Sequence, residues 1–216
     1  GLSSSKEDAL AVVGSDQAHM KEQLHLLRAA EAIDPATLSA ADAFERQYFI
    51  NTMKGELFWL TEADEPHLNP SFYLGPLGPS VYVARPYADV ETRMKAFIEY
   101  AKNVPAAAEQ VKANLKVPMP ATYVKLGTAG FNGLADHYET GAREAFSAVN
   151  DDALMAEYDA VVAEAAAAMR SVADYIESEP GTEDGYALGA EKFSNMIRLT
   201  EGVDISLEEL EAIGRA

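Results

Sequence analysis

The sequence predicts an all-α fold: an irregular multi-helix bundle interrupted by one long Pro/Gly-rich loop at about 62–88. Three observations predict it. Apolar residues recur at helical rather than strand spacing in nearly every segment free of proline and glycine. Helix-start residues stand directly before those stripes, and Pro66, Pro70, Pro76, Pro79 and Pro86 fall with Gly75 and Gly78 in a single stretch.

Taken in order, a first helix is expected from about Lys6 or Ser15 to Ile33, stopped by Asp34-Pro35. Ser39 and Asp42 form a weaker capping box ahead of Phe44, Tyr48, Met53, Leu57 and Leu60. The second half of that helix, with Phe49-Ile50 and Leu57-Phe58-Trp59-Leu60, is apolar on most sides, which predicts one of the more buried helices. From Glu65 to Pro86 the chain holds Pro66, Pro70, Gly75, Pro76, Gly78 and Pro79, too punctuated for a helix; Val81-Tyr82-Val83 is at most a short extended piece.

Asp89 then caps a helix carrying Val90, Met94, Phe97, Ile98 and Ala101. Pro105 and Pro120 each suit a first turn, where a missing N–H costs nothing, and short helices should follow both. The clearest stripe is Leu154, Tyr158, Val161, Val162, Ala165, Met169, Val172 and Ile176, a long amphipathic helix entered through Asn150 or Asp151. Ser206 with Glu209 is a full capping box opening a helix that stops at Ala216, which predicts that the polypeptide continues. Residues 1–216 are therefore expected to be a single helical domain or the truncated N-terminal portion of a larger helical protein. The start at Gly1 fits a processed or engineered terminus.

Composition narrows the functional classes. With 48% hydrophobic residues over 216 positions, the chain can bury a sizeable core. Its net charge of −18 repels phosphate backbones and anionic headgroups, which argues against nucleic acid or a membrane surface as partner. The acidity is dispersed, as in Glu62-Ala63-Asp64-Glu65 and Glu208-Glu209, and reads as solvated surface. The absence of cysteine removes disulfides, thiolate metal sites and cysteine nucleophiles. No run approaches the roughly 18 apolar residues of a membrane span.

Catalytic signatures are missing. His19, Glu22 and His25 read HxxExxH, a spacing that turns the two rings roughly 120° apart around the helix, so they make an ordinary polar face rather than a metal site. His67 and His137 are isolated. Gly127, Gly130 and Gly133 lack both the dinucleotide and the phosphate-loop context, and close approach of a neighbouring helix or a break in this one explains them better. Glu179–Gly185 lacks the alternating ligands of a calcium loop and reads as an acidic turn; no GxSxG elbow surrounds Ser147 or Ser194. No catalytic residue, cofactor site or metal ligand is assigned. In the long loop, Asn69, Tyr73 and Arg85 are the candidate binding residues, although the favoured readings are a turn-forming cap for Asn69 and an ion pair with a surface acid for Arg85.

An ordered set of segments resembles the bacterial family named domain of unknown function 885. It comprises Leu27–Asp34 with Leu38-Ser39, Asn69–Tyr73, Arg93–Pro105 into Ala113–Leu115 with Pro118 and Pro120, Tyr186–Phe193, and Ser206–Leu210. The Tyr-x-Leu-Gly-x-Glu-x-Phe stretch at 186–193 is the most specific piece. The resemblance implies a helical fold similar to carboxypeptidase Taq-like metallopeptidases, with an HExxH helix and a further Glu ligand in the later half of the full protein. None of those ligands can be carried onto a position here; zinc would belong to the full-length parent. The resemblance also implies an exported or lipid-anchored envelope protein, with the cytoplasm left open.

Two readings of function follow. In one, the chain is the non-catalytic N-terminal helical portion of a zinc metallopeptidase, walling one side of a peptide-binding cleft that the C-terminal remainder of the same protein completes. In the other, it is a stand-alone helical peptide- or protein-binding module whose recognition surface is the 65–86 loop with Phe72, Tyr73, Tyr82 and Tyr87. Packing of those aromatic residues onto the helices is the preferred alternative to recognition by them.

Overall fold

The computed structural model describes residues 16–216, with side chains from Met20 onward. Its main helices are α1 (Asp16–Glu31), α2 (Ala40–Thr61), α3 (Val90–Ala101), α4 (Val104–Asn114), α5 (Ala121–Glu139), α6 (Asp152–Ile176), α7 (Gly189–Met196) and α8 (Leu207–Arg215). Among the described residues, extended pairing is confined to one isolated bridge between Pro120 and Thr182, so the expected all-α class is the one found. The start of the first helix, expected near Lys6 or Ser15, lies outside the described residues. The described chain divides into two compact units: Pro66–Asp184, and Asp16–Glu65 together with Gly185–Ala216.

The 66–184 unit is built on α6. Asp151 accepts hydrogen bonds from the backbone N–H groups of Ala153 and Leu154, satisfying two donors that an uncapped helix would leave free. Every member of the apolar stripe except the half-buried Val161 is buried, from Leu154 through Ile176. The stripe packs against α3, α4 and α5, and the centre of the core is aromatic. The Phe97 ring lies 5.1 Å from that of Tyr138 and 5.8 Å from each of Tyr82, Phe146 and Tyr158. Asp89 caps α3 through Thr92, and Pro105 occupies the first turn of α4, as expected. The helix after Pro120 is longer than expected, because Gly127, Gly130 and Gly133 leave α5 unbroken.

The stretch expected to be a long loop is instead wound into short turns: Glu65–Leu68, Pro70–Tyr73, Leu74–Leu77 and Ser80–Val83. Pro66, Pro70 and Pro79 sit at or beside the start of a turn, where the ring restricts φ without breaking an interior hydrogen bond, and Pro76 is third in Leu74–Leu77. Val81-Tyr82-Val83, expected to be extended, is helical because Tyr82 must turn inward to join the aromatic core. The glycines of α5 make this packing possible. A Cβ at Gly127 would lie 2.5 Å from Pro70 Cγ, and one at Gly130 would lie 2.5 Å from Leu74 Cδ1.

The second unit has a small core, Leu27, Ile50, Met53 and Leu57, with Met20 and Ala30 packed against it. Arg46 on α2 donates from Nε to the carbonyl of Ala30 (2.9 Å) and from Nη2 to that of Glu31 (3.0 Å), placing a cation on the electronegative end of α1. Ser39 caps α2 by accepting from the N–H of Asp42 while its hydroxyl donates to the Asp42 carboxylate. The burial expected of the second half of α2 is found at Ile50, Met53, Leu57 and Phe58 and not at Phe49 and Trp59. Phe49 and Trp59 reach solvent, as do Phe44 and Tyr48 in the first half, which are 72% and 67% exposed.

Candidate functional site

Asn69 and Tyr73 bracket a single turn. The Asn69 side chain accepts from the backbone N–H of Ser71 at 3.0 Å, capping the Pro70–Tyr73 turn. Tyr73 is buried; its hydroxyl donates to the carbonyl of Pro66 (2.6 Å) and accepts from the side-chain amide of Asn114 (3.1 Å). Arg85 stands apart on the exposed turn after Val83, where its carbonyl accepts from the N–H of Tyr87. Of the other aromatic residues in the stretch, Tyr82 is fully buried, Phe72 half-buried and Tyr87 exposed. The first two candidates thus hold the backbone of 66–73 in place, and Arg85 is the one presented to solvent.

The histidines are scattered. His25 is exposed on α1, His67 lies in the Glu65–Leu68 turn, and His137 is exposed near the end of α5. The side chain of His19 falls outside the described residues. Among the described residues no group of three or more histidines and carboxylates is arranged to hold a metal ion. None of their helices is long and apolar enough to cross a membrane.

Two open grooves lie within the second unit. The larger, about 540 Å³, runs between the end of α2 and α7 and is lined by Glu62, Glu191, Lys192, Asn195, Arg198 and Asp204. Its polar groups are linked: Lys192 Nζ donates to the Glu62 carbonyl (2.5 Å), Asn195 Nδ2 to the Glu62 carboxylate (2.6 Å), and Arg198 to Asn195 Oδ1 (2.5 Å). Glu191 and Lys192 belong to the Tyr186–Phe193 stretch. The glycine of that stretch, Gly189, has φ of +79°, a left-handed conformation that a side chain disfavours and that starts α7 at this angle.

The smaller groove, about 380 Å³, runs along α2. Its other wall is Ile197–Glu201, a widened turn of the π type that ends at Gly202 with φ of +69°. Such turns open the backbone by one residue and recur at functional positions. The turn packs closely on Gly55: a Cβ there would sit 3.4 Å from Thr200 Cγ2, at van der Waals contact.

The sequence reading missed both grooves. Tyr48, Thr52, Gly55 and Trp59 follow helical steps of their own, but that signal was overlaid by the neighbouring apolar stripe through Met53, Leu57 and Leu60. Nothing in residue spacing signals the widened turn.

Comparison with known families decides the affiliation. The model of the family described as "Bacterial protein of unknown function (DUF885)" matches residues 5–216. The chain belongs to that family. No curated protein and no solved structure matches this DUF885 chain. The ordered segments seen in the sequence fall within the matched span, from Leu27 to Leu210.

Proposed function

We propose that this DUF885 chain is the non-catalytic helical portion of a bacterial zinc metallopeptidase of the carboxypeptidase Taq-like kind, forming one wall of a peptide-binding cleft. The C-terminal remainder of the same protein supplies the zinc ligands and the group that activates water. One observation carries the reading: the second unit holds two large rings open to solvent along one of its grooves. Tyr48 and Trp59 stand exposed along the smaller groove, while Ile50, Met53, Leu57 and Phe58 of the same helix are buried. Concave surfaces lined by aromatic rings with a few fixed polar groups suit an extended polypeptide.

The test is made on the gene and on the protein. Sequence beyond Ala216 should encode an HExxH helix and a downstream glutamate. The longer protein should bind zinc stoichiometrically and cleave peptides, whereas residues 1–216 alone should retain little zinc after dialysis. A gene that ends at Ala216, or a longer protein whose peptidase activity survives removal of every zinc ion, removes the reading.

A further inference from the structure

We propose that the smaller groove, between α2 and the turn at Ile197–Glu201, receives a lysine or arginine side chain of an extended peptide. The proposal rests on the peptide-cleft reading and names the substrate class that this wall selects.

The shape comes from α2. Tyr48, Thr52, Gly55 and Trp59 recur at steps of four, three and four, so they share one face. Two large rings stand at the ends of that face, with a threonine and a glycine between them. The eleven helical steps from Tyr48 to Trp59 span roughly 16 Å, which matches about five residues of extended peptide. The trough between the rings is therefore built by the small residues and not by a gap in packing. Thr200 closes its floor against Gly55.

The charge says what fits. Glu56 and Glu201 line the groove from opposite walls, and no lysine or arginine lines it. Among the described residues neither carboxylate is met by a cation: the lysine nearest in sequence on α2, Lys54, pairs with Glu31 on the other side of the helix at 2.8 Å. Tyr48 is 67% and Trp59 37% exposed, so part of each ring is open to an incoming cation. The chain's net charge of −18 adds a long-range field that attracts basic and repels acidic segments. Carboxylates facing each other across a trough that ends in aromatic rings complement an ammonium or guanidinium group on a peptide; a neutral peptide would leave both charges unanswered.

Trp59 is the sole tryptophan of the chain, so its fluorescence reports on this groove alone. Residues 1–216 are titrated with three peptides of equal length, about five residues, carrying a central lysine, leucine or glutamate. Trp59 emission and calorimetric heat are followed together. The lysine peptide should shift Trp59 emission saturably and bind about tenfold more tightly than the leucine peptide, an advantage that falls with added salt. The double variant Glu56→Gln/Glu201→Gln, at two exposed positions, should keep the parent's circular dichroism and lose that advantage. Equal binding of the lysine and leucine peptides overturns the charge selection and leaves the cleft reading standing. Binding heat without any change at Trp59 places the peptide elsewhere and overturns the assignment of this groove. No heat and no emission change with any of the peptides overturns the proposal together with the cleft reading for this wall.

Discussion

The hydroxyl of Tyr138 on α5 donates to the carbonyl of Leu77 at 2.7 Å, inside a core where Tyr138 has no exposed surface. Tyr100 does the same for the carbonyl of Pro76. The chain at 74–79 needs these donors, because Pro76 and Pro79 contribute no N–H and the Leu74–Leu77 turn is too short to satisfy its own carbonyls. Replacing Tyr138 by Phe keeps the ring and deletes only the donor, leaving a buried carbonyl unanswered. A loss of about 1–3 kcal/mol is expected, read by denaturant unfolding with an unchanged m-value. Full retention of stability by Tyr138→Phe would mean that the hydroxyl does not anchor the turn.

The same tyrosines set the alkaline limit of the fold. Burial raises the phenol of Tyr138 well above the ordinary range, with Tyr100 adding repulsion, and burial likewise raises Tyr100 and Tyr158. For an acid whose folded value is raised, the folded state holds its proton while the unfolded chain releases it. The stabilisation is complete below the unfolded value of about 10 and is lost as pH rises beyond it. Near-ultraviolet titration should show these phenols ionising together with the loss of helical circular dichroism, not before it. Reversible ionisation of all tyrosines in a chain that stays folded would contradict this.

The fold was legible where burial and local spacing agree. Leu154 through Ile176 form one continuous stripe, and α6 buries it; Asp89, Asp151 and Ser206 read as caps and act as caps. The 65–83 stretch was read as loop because proline rhythm marks where turns begin but not that tertiary contacts will wind each one. Those contacts come from Tyr73, Tyr100 and Tyr138, which lie up to 61 positions away from the carbonyls they hold. In the second half of α2 apolar character matches burial at Ile50, Leu57 and Phe58 but not at Phe49 and Trp59, which reach solvent. The smaller groove was invisible for a related reason, since its second wall is brought to Gly55 by a turn about 145 residues further along the chain, beyond the reach of periodicity.

Glycines on one helix should respond in opposite senses to the same substitution. At Gly127 a methyl group would lie 2.5 Å from Pro70 Cγ and 3.0 Å from Ile176 Cδ1, and neither a proline ring nor a buried isoleucine yields easily. At Gly133 nothing stands within 4 Å and the position is exposed within α5. Gly133→Ala should therefore stabilise the protein by about 0.5–1 kcal/mol through helix propensity. Gly127→Ala should destabilise it by about 1–3 kcal/mol through overpacking. Thermal unfolding of the two single variants checks both signs, and a stabilised Gly127→Ala would show that the Pro70 turn is not seated against α5.

Asn69 and Arg85 can be separated by stability and binding measured side by side. Asn69 satisfies the N–H of Ser71, so Asn69→Ala should cost about 0.5–2 kcal/mol in unfolding experiments. The loss should be sensed by Tyr73, whose hydroxyl is tied to Pro66 and Asn114 in the same turn. Arg85 is exposed, and Arg85→Ala should change stability by no more than about 0.5 kcal/mol. Any effect of Arg85→Ala on the binding of a peptide or a partner would then be a direct one, because the fold beneath it is unaltered. An effect of Asn69→Ala on binding would have to be corrected for the fraction unfolded before it counted as recognition. An Arg85→Ala variant that unfolds as readily as Asn69→Ala would show that the guanidinium is a structural element of its turn and not a group held out for a ligand.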